Sequence, residues 1–220
     1  MTMQISDSFT YRGRSFGLAG FSGEGLFRPD RHGMELKRAG TFCYRGFVAH
    51  YDVWDDTKTS PLDGKLRTIL RLKDLRVNPA DRDTLPLLLF GAPLEIYDRH
   101  RLDPNVVNDL TGEKSILDVV FGCRYTDCPE PLNYTGGLLL GRNLISELSV
   151  NQGFSPAWKY RQVHELVFED GVLIEEHDRS AQMAKIRKEQ NGPRPKITSA
   201  HEYMAWIADS FSLKYERGTF

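Results

Sequence analysis

The alternation of apolar and polar positions is clearest over residues 163–178, where it predicts two short strands joined by Asp170 and Gly171. Both residues of a two-residue hairpin turn need a positive φ, and Asp-Gly is a strong signal for such a turn. A loop of this length also fixes the register of the strands on either side of it. We therefore expect His164 to lie directly opposite His177, with both imidazoles on one face of the sheet.

This predicted pair suggests a metal site. Two neighbouring imidazoles are suitable ligands for Zn²⁺ or a similar divalent ion, and Glu175, diagonal to His164, would supply a third ligand. His50 would join them if its strand lies beside the hairpin. The preferred interpretation is a solvated histidine pair without a cofactor, and a bound divalent metal is the alternative.

Residues before the hairpin also indicate mainly β-structure. Aromatic and β-branched side chains predict a strand over residues 41–54, and strict alternation predicts a partner strand over residues 66–77. Residues 115–125 resemble a further strand. Residues 132–145 predict a strand interrupted by glycines, which is typical of a bulge or a close backbone approach. Residues 78–114 form a loop-rich excursion.

The C-terminal part of the chain has a helical pattern. Residues 180–190 have the composition of a helix that begins at a serine and stops before Asn-Gly-Pro. Ser199, followed three residues later by Glu202, predicts an N-cap for a helix over residues 200–211. Residues 214–220 are expected to fray. The apolar face expected to dock this last helix on the sheet consists of Tyr203, Met204, Ile207 and Phe211.

Many short strands followed by helices predict an α+β, β-rich fold. We expect an antiparallel sheet with C-terminal helices, and the sequence leaves open whether the sheet is a curled sheet, a barrel or a two-layer sandwich. Residues 1–178 should form the β-rich core domain, including the excursion near residues 78–114. Residues 179–220 should form a helical segment packed on that same domain.

Composition narrows the class of protein. The chain has 220 residues, with 29 basic and 30 acidic side chains and a net charge of −1, so it has no overall bias toward nucleic acid or anionic membranes. No apolar run is long enough for a membrane span, and no secretory signal is evident. Three cysteines without an export signal favour reduced thiols in a cytoplasmic protein.

No catalytic signature accompanies these features, so we expect a non-enzymatic cytosolic protein that binds a protein partner, of the kind exemplified by immunity proteins. Phe154, Trp158 and Tyr160 are the predicted interaction surface, because Trp and Tyr are favoured at interfaces, and the alternative for these residues is core packing at the entrance to a strand. One alternative is a metal-dependent hydrolase that uses the histidine pair. The other is a carrier of a small apolar ligand, with an interior lined by Leu70, Leu72, Leu138 and Leu140. The sequence leaves the oligomeric state open.

Overall fold

The computed structural model describes residues 2–56, 67–97, 116–190, 192 and 197–218. In the first half of the chain the strands are β1 (Ser8–Tyr11), β2 (Arg14–Phe21), β3 (Phe47–Asp56), β4 (Arg67–Val77), β5 (Leu88–Leu89) and β6 (Ala92–Ile96). The second half contains α1 (Ile116–Phe121), β7 (Cys123–Tyr125), β8 (Glu130–Pro131), β9 (Gly136–Leu144), β10 (Tyr160–Glu169), β11 (Val172–Asp178), α2 (Ser180–Gln190) and α3 (Ala200–Ser210). Short 3-10 helices span Pro29–His32, Arg82–Thr84, Ser146–Leu148 and Ala157–Lys159.

Seven strands close into a barrel in the order β4, β3, β1, β2, β9, β10, β11. Strand β11 returns to β4, where Val172 pairs with Ile69 and closes the cylinder. Neighbouring strands in the barrel are antiparallel, except that β1 and β3 run parallel. The predicted β-rich α+β fold with C-terminal helices is confirmed, and the barrel is the arrangement adopted.

Side chains fill the middle of the barrel, as is usual for a barrel with so few strands. The Phe9 and Tyr51 rings stack there with their centroids 4.8 Å apart. The four leucines proposed to line a carrier interior are fully buried in this core and line neither of the two cavities described below. These residues are Leu70, Leu72, Leu138 and Leu140.

The hairpin between β10 and β11 has the predicted turn. Asp170 and Gly171 have φ values of 46° and 79°, and Phe168 lies opposite Leu173 as expected. Beyond that pair the register shifts, because Val167 pairs with Glu175 and Ile174 becomes an extra residue in β11. This bulge moves every later pair by one position, so the predicted register of the outer hairpin is wrong.

In strand β9 a neighbouring group lies close against the backbone at a glycine, as the sequence predicts. A Cβ atom at Gly141 would lie 2.5 Å from the Tyr160 ring, which packs across the strand from β10. Glycine is therefore needed at this position for packing between β9 and β10.

The strand predicted over residues 115–125 is wrong in its first part, which forms α1. A short run of apolar residues does not distinguish a strand from a buried helical turn. The helix packs through contacts with residues distant in the sequence. Asp118 of α1 is buried and forms ion pairs with Arg76 and Arg124. Of the predicted excursion, residues 98–114 lie outside the described part of the chain.

Helices α2 and α3 begin where the sequence predicts, and the Ser199 hydroxyl accepts a hydrogen bond from the Glu202 amide at the start of α3. Met183 anchors α2 on the barrel. The predicted docking face of α3 is wrong, because Tyr203 and Met204 are exposed and no residue of α3 is buried. No helix in the described residues is long and apolar enough to cross a membrane.

The chain after α3 forms a strap across the barrel, so the prediction that it frays is wrong at residues 214 and 215, while residues 219 and 220 lie outside the described part of the chain. The Phe21 amide donates to the Leu213 carbonyl at 2.7 Å, and the Tyr215 amide donates to the Phe21 carbonyl at 3.1 Å. The Tyr215 hydroxyl donates to Glu165 on β10. Residues 213–215 therefore form part of the wall at one end of the barrel.

Candidate functional site

A cavity of about 360 Å³ lies at the barrel end formed by the starts of β1 and β3, and we call it the mouth cavity. Its volume is in the usual range for a small-molecule site, and barrel mouths are common places for such sites. The wall combines a few polar groups with a larger apolar surface. The aliphatic and phenyl side chains in that surface are Leu18, Phe21, Leu26, Phe27, Phe47 and Leu213.

The segment after β2 crosses this end of the barrel and covers part of the cavity. It can do so because Gly23 and Gly25 adopt positive φ values and lie against the backbone before β9. A Cβ atom at these two positions would lie 2.0 Å from the Thr135 carbonyl oxygen and 2.4 Å from the Asn133 carbonyl oxygen. Only glycine allows so close a contact without displacing backbone.

An ion pair between the buried Asp7 and the partly exposed Arg45 forms part of the wall. Asp7 precedes β1 and Arg45 precedes β3, and the parallel pairing of these strands brings their starts together. Arg45 donates to both carboxylate oxygens of Asp7, from Nη1 at 2.8 Å and from Nη2 at 2.6 Å. The Ala49 amide donates to the same carboxylate at 2.7 Å. The Asp7 carboxylate thus accepts three hydrogen bonds. The Arg45 guanidinium also lies over the Phe47 ring.

Two polar atoms in the wall carry a hydrogen that is donated to no described residue. They are the Tyr51 hydroxyl oxygen and the Arg45 Nε, and both are buried. Most buried polar groups in proteins are paired with protein atoms or water, so an unpaired group calls for an explanation. Other buried polar atoms also lack a partner, but these two belong to residues that line the same cavity.

The protonation states of these groups make both of them donors. Burial raises the pKa of the Tyr51 hydroxyl well above its usual value and the nearby Asp7 carboxylate raises it further, whereas the Arg45 charge and a hydrogen bond from the Phe27 backbone oppose this rise without cancelling it. Burial opposes the charge of Arg45, but the charge of Asp7 and its hydrogen bonds leave the pKa of the guanidinium raised. At neutral pH two residues of the cavity wall therefore carry buried donors, an O–H on Tyr51 and an Nε–H on Arg45.

Cations outnumber carboxylates around the cavity. Arg28 and Arg31 lie on the 3-10 segment and its approach, and Lys214 lies on the C-terminal strap. Arg28 is paired with Asp30 at 2.5 Å, whereas Arg31 and Lys214 form no ion pair with another described residue. Apart from Asp7, the acidic side chain in the wall is Glu24.

The structure separates the predicted histidine pair. The shifted register places His164 opposite Asp178 and His177 opposite Glu165, so that the two imidazoles are on opposite faces of the sheet. The prediction that they lie side by side is wrong. His164 points into the barrel against the rings of Tyr11 and Phe16, 3.7 Å from a Glu176 carboxylate oxygen. On the outer face of the sheet, His177 forms a hydrogen bond between its Nε2 and a Glu175 carboxylate oxygen.

His50, the fourth predicted ligand, belongs to a different polar cluster. Its Nδ1 lies 2.8 Å from the Ser8 hydroxyl and its Nε2 lies 2.9 Å from the Thr10 hydroxyl, across the parallel β1–β3 pair. Burial lowers the pKa of this imidazole, which favours its neutral form. The described residues contain no group of three or more histidine, cysteine or acidic side chains placed to hold a metal ion.

The predicted interaction residues lie beside a second cavity of about 440 Å³, between the barrel wall and helices α2 and α3, which we call the groove. Phe154 and Trp158 line it, together with Ile186 of α2 and Trp206 of α3. Tyr160 instead packs beneath α2 over Gly141. The three aromatic side chains are therefore partly buried and do not form one exposed patch.

Sequence reasoning missed three central polar residues of the mouth cavity. Asp7, Arg45 and Tyr51 have no motif spacing, and the parallel pairing that joins the first two was not predicted. The sequence did place Tyr51 within a predicted strand. Alternation along a strand does not show, however, at which end of a barrel a residue lies.

No protein-family model, no curated protein and no solved structure matches the chain. The functional proposal therefore starts from the mouth cavity and its unpaired donors.

Proposed function

We propose that this protein is a non-enzymatic binding protein and that a small organic molecule occupies its mouth cavity. The observation that carries this proposal is that two residues lining the same cavity, Tyr51 and Arg45, each carry a buried donor that forms no hydrogen bond with an acceptor among the described residues. A buried donor without an acceptor costs about 1–3 kcal/mol. A ligand that supplies the acceptor recovers this free energy, which would favour occupancy.

The surroundings of the donors also support a ligand site. The guanidinium of Arg45 is fixed by two hydrogen bonds to Asp7, and Tyr51 is held by stacking on Phe9. Groups that are already fixed lose little conformational entropy on binding. The apolar wall would in turn bury the body of the ligand.

A variant that fills the cavity tests the proposal. Leu26 lines the mouth cavity, so Leu26→Trp should occupy much of its volume. Leu87→Trp is the matched control, because Leu87 is 81% exposed and lines neither cavity. Thermal unfolding of the three proteins is measured with a panel of small organic acids, alcohols and amides. A ligand of the native state raises Tm as its concentration increases.

We expect at least one class of compound to raise the Tm of the wild type and of Leu87→Trp, and to have no effect on Leu26→Trp. Equal shifts in all three proteins would place the binding elsewhere and refute the proposal. Circular dichroism of Leu26→Trp at low temperature verifies that the variant keeps its β-rich fold.

Engagement of a protein partner stays a prediction. Its support is the groove, lined by Phe154 and Trp158, together with Tyr203 and Met204 exposed on α3 beside it. If a partner covers this face, hydrogen exchange in α3 slows in the purified complex, and Trp158→Ala weakens the complex. Unchanged exchange in α3 would remove the groove from the interface.

A further inference from the structure

The chemistry of the cavity wall restricts the head group of its ligand. The two unpaired groups, the O–H of Tyr51 and the Nε–H of Arg45, are both donors. The neighbouring acceptor, the Asp7 carboxylate, already receives hydrogen bonds from Arg45 and Ala49. A head group that accepts hydrogen bonds satisfies this wall, whereas a head group that only donates leaves both protein donors unpaired.

The charges around the cavity favour a negative head group over a neutral acceptor. The charge of Arg45 is balanced by Asp7, which by itself would repel an anion. Arg31 and Lys214 add two positive charges without an ion-pair partner among the described residues, and Glu24 offsets one of them. Hydrogen bonds to an ionised acceptor are also stronger than those to a neutral acceptor.

The apolar wall indicates the body of the ligand. Phe21, Phe27 and Phe47 line the cavity, with the rings of Tyr51 and Tyr134. Aromatic side chains pack well against flat apolar groups through stacked or edge-on contacts. Five rings around a cavity of about 360 Å³ therefore suit an aromatic group.

On the basis of the ligand site proposed above, we infer that the ligand is an organic anion with an aromatic body. Its carboxylate or phosphate accepts hydrogen bonds from Tyr51 and Arg45, and its ring packs among the phenyl groups of the wall. Arg31 and Lys214 attract the anion to the mouth of the barrel.

Isothermal titration calorimetry with three probes tests this inference. Phenylpropionate and phenethyl phosphate carry the two anionic head groups, and phenylpropionamide is the neutral counterpart of the carboxylate. The proteins are the wild type, Tyr51→Phe, Leu26→Trp and Tyr125→Phe. Tyr125 is a remote control, because its buried hydroxyl is already bonded to the Pro86 carbonyl.

We expect an anion to bind the wild type about tenfold more tightly than the amide, as a charge-assisted hydrogen bond allows. Tyr51→Phe should lose about tenfold in affinity for the anion, Leu26→Trp should abolish binding, and Tyr125→Phe should bind as the wild type does. The ratio of the dissociation constants of phenylpropionate and phenethyl phosphate identifies the preferred head group.

Two outcomes overturn the inference in distinguishable ways. If the amide binds the wild type as tightly as the anions and Leu26→Trp abolishes this binding, the cavity is a ligand site but the anion is wrong. If no probe binds the wild type, or if Leu26→Trp binds the probes unchanged, both the anion and the use of this cavity for such ligands fail.

Discussion

Tyr51→Phe should stabilise the ligand-free protein, although it removes a polar group from the ligand site. Tyr51 is fully buried and its hydroxyl has no acceptor among the described residues. An unpaired buried donor costs about 1–3 kcal/mol, and phenylalanine lacks this group. The void left by one oxygen is small beside a cavity that already exists, so little packing is lost. We expect the free energy of unfolding to rise by about 1–2 kcal/mol.

For a chain of this length, each kcal/mol shifts Tm by about 2–4 °C, so the gain is measurable by thermal unfolding as well as with guanidinium. Tyr134→Phe is the matched control from the same cavity. Its hydroxyl is also buried, but it lies 2.5 Å from the Ser22 carbonyl oxygen and 2.9 Å from that of Gly137. Removing this hydroxyl should cost about 1–2 kcal/mol.

Opposite signs for the two tyrosines are the result that the structure predicts. If Tyr51→Phe loses as much stability as Tyr134→Phe, the Tyr51 hydroxyl has an acceptor in the free protein. The mouth cavity would then hold no vacant hydrogen-bonding position at Tyr51.

Three further variants test other parts of the structure. Asp7→Asn removes the charge that pairs with Arg45 and should cost about 3 kcal/mol in guanidinium unfolding, and a loss below about 1 kcal/mol would contradict a buried pair. Gly141→Ala puts a Cβ against the Tyr160 ring and should lower the free energy of unfolding by about 2–3 kcal/mol, whereas an unchanged free energy of unfolding would show that the ring moves freely. Because burial lowers the pKa of His50, the native state binds fewer protons than the unfolded chain. Its stability should therefore fall as pH drops from about 7.5 to 5.5, through the unfolded pKa of about 6.5. His50→Gln should lose less stability over that range, and an equal loss would exclude His50 as a cause.

Local signals in the sequence were sufficient where the structure depends on neighbouring residues. The Asp170-Gly171 turn, the N-cap at Ser199 and the bounds of α2 follow from backbone preferences within a few positions. The same local rules gave the β-rich class with C-terminal helices, because strand and helix patterns repeat along the chain.

The errors arose where distant contacts decide the structure. The bulge at Ile174 separates His164 from His177, and alternation gives no sign of one extra residue. Residues of α1 have strand-forming side chains but form a helix, from which the buried Asp118 makes ion pairs with Arg76 and Arg124. Helical spacing in α3 identified an apolar face but did not show that Tyr203 stays exposed.

The candidate site was hidden for a related reason. Asp7 and Arg45 are far apart in the sequence and meet only because β1 and β3 are parallel, whereas the sequence suggested an antiparallel sheet. The C-terminal strap completes the wall of the cavity with Leu213 and Lys214, although the chain from residue 214 was predicted to fray. Sites built from several distant segments have no compact motif that spacing can reveal.

The most direct test of the ligand site is a crystal structure of the protein with phenylpropionate. We predict electron density for the probe inside the mouth cavity, with its carboxylate within hydrogen-bonding distance of the Tyr51 hydroxyl and the Arg45 Nε. Its phenyl ring should lie among Phe21, Phe27 and Phe47. A mouth cavity closed by the protein's own side chains, with the Tyr51 hydroxyl bonded to a protein acceptor, would contradict the account.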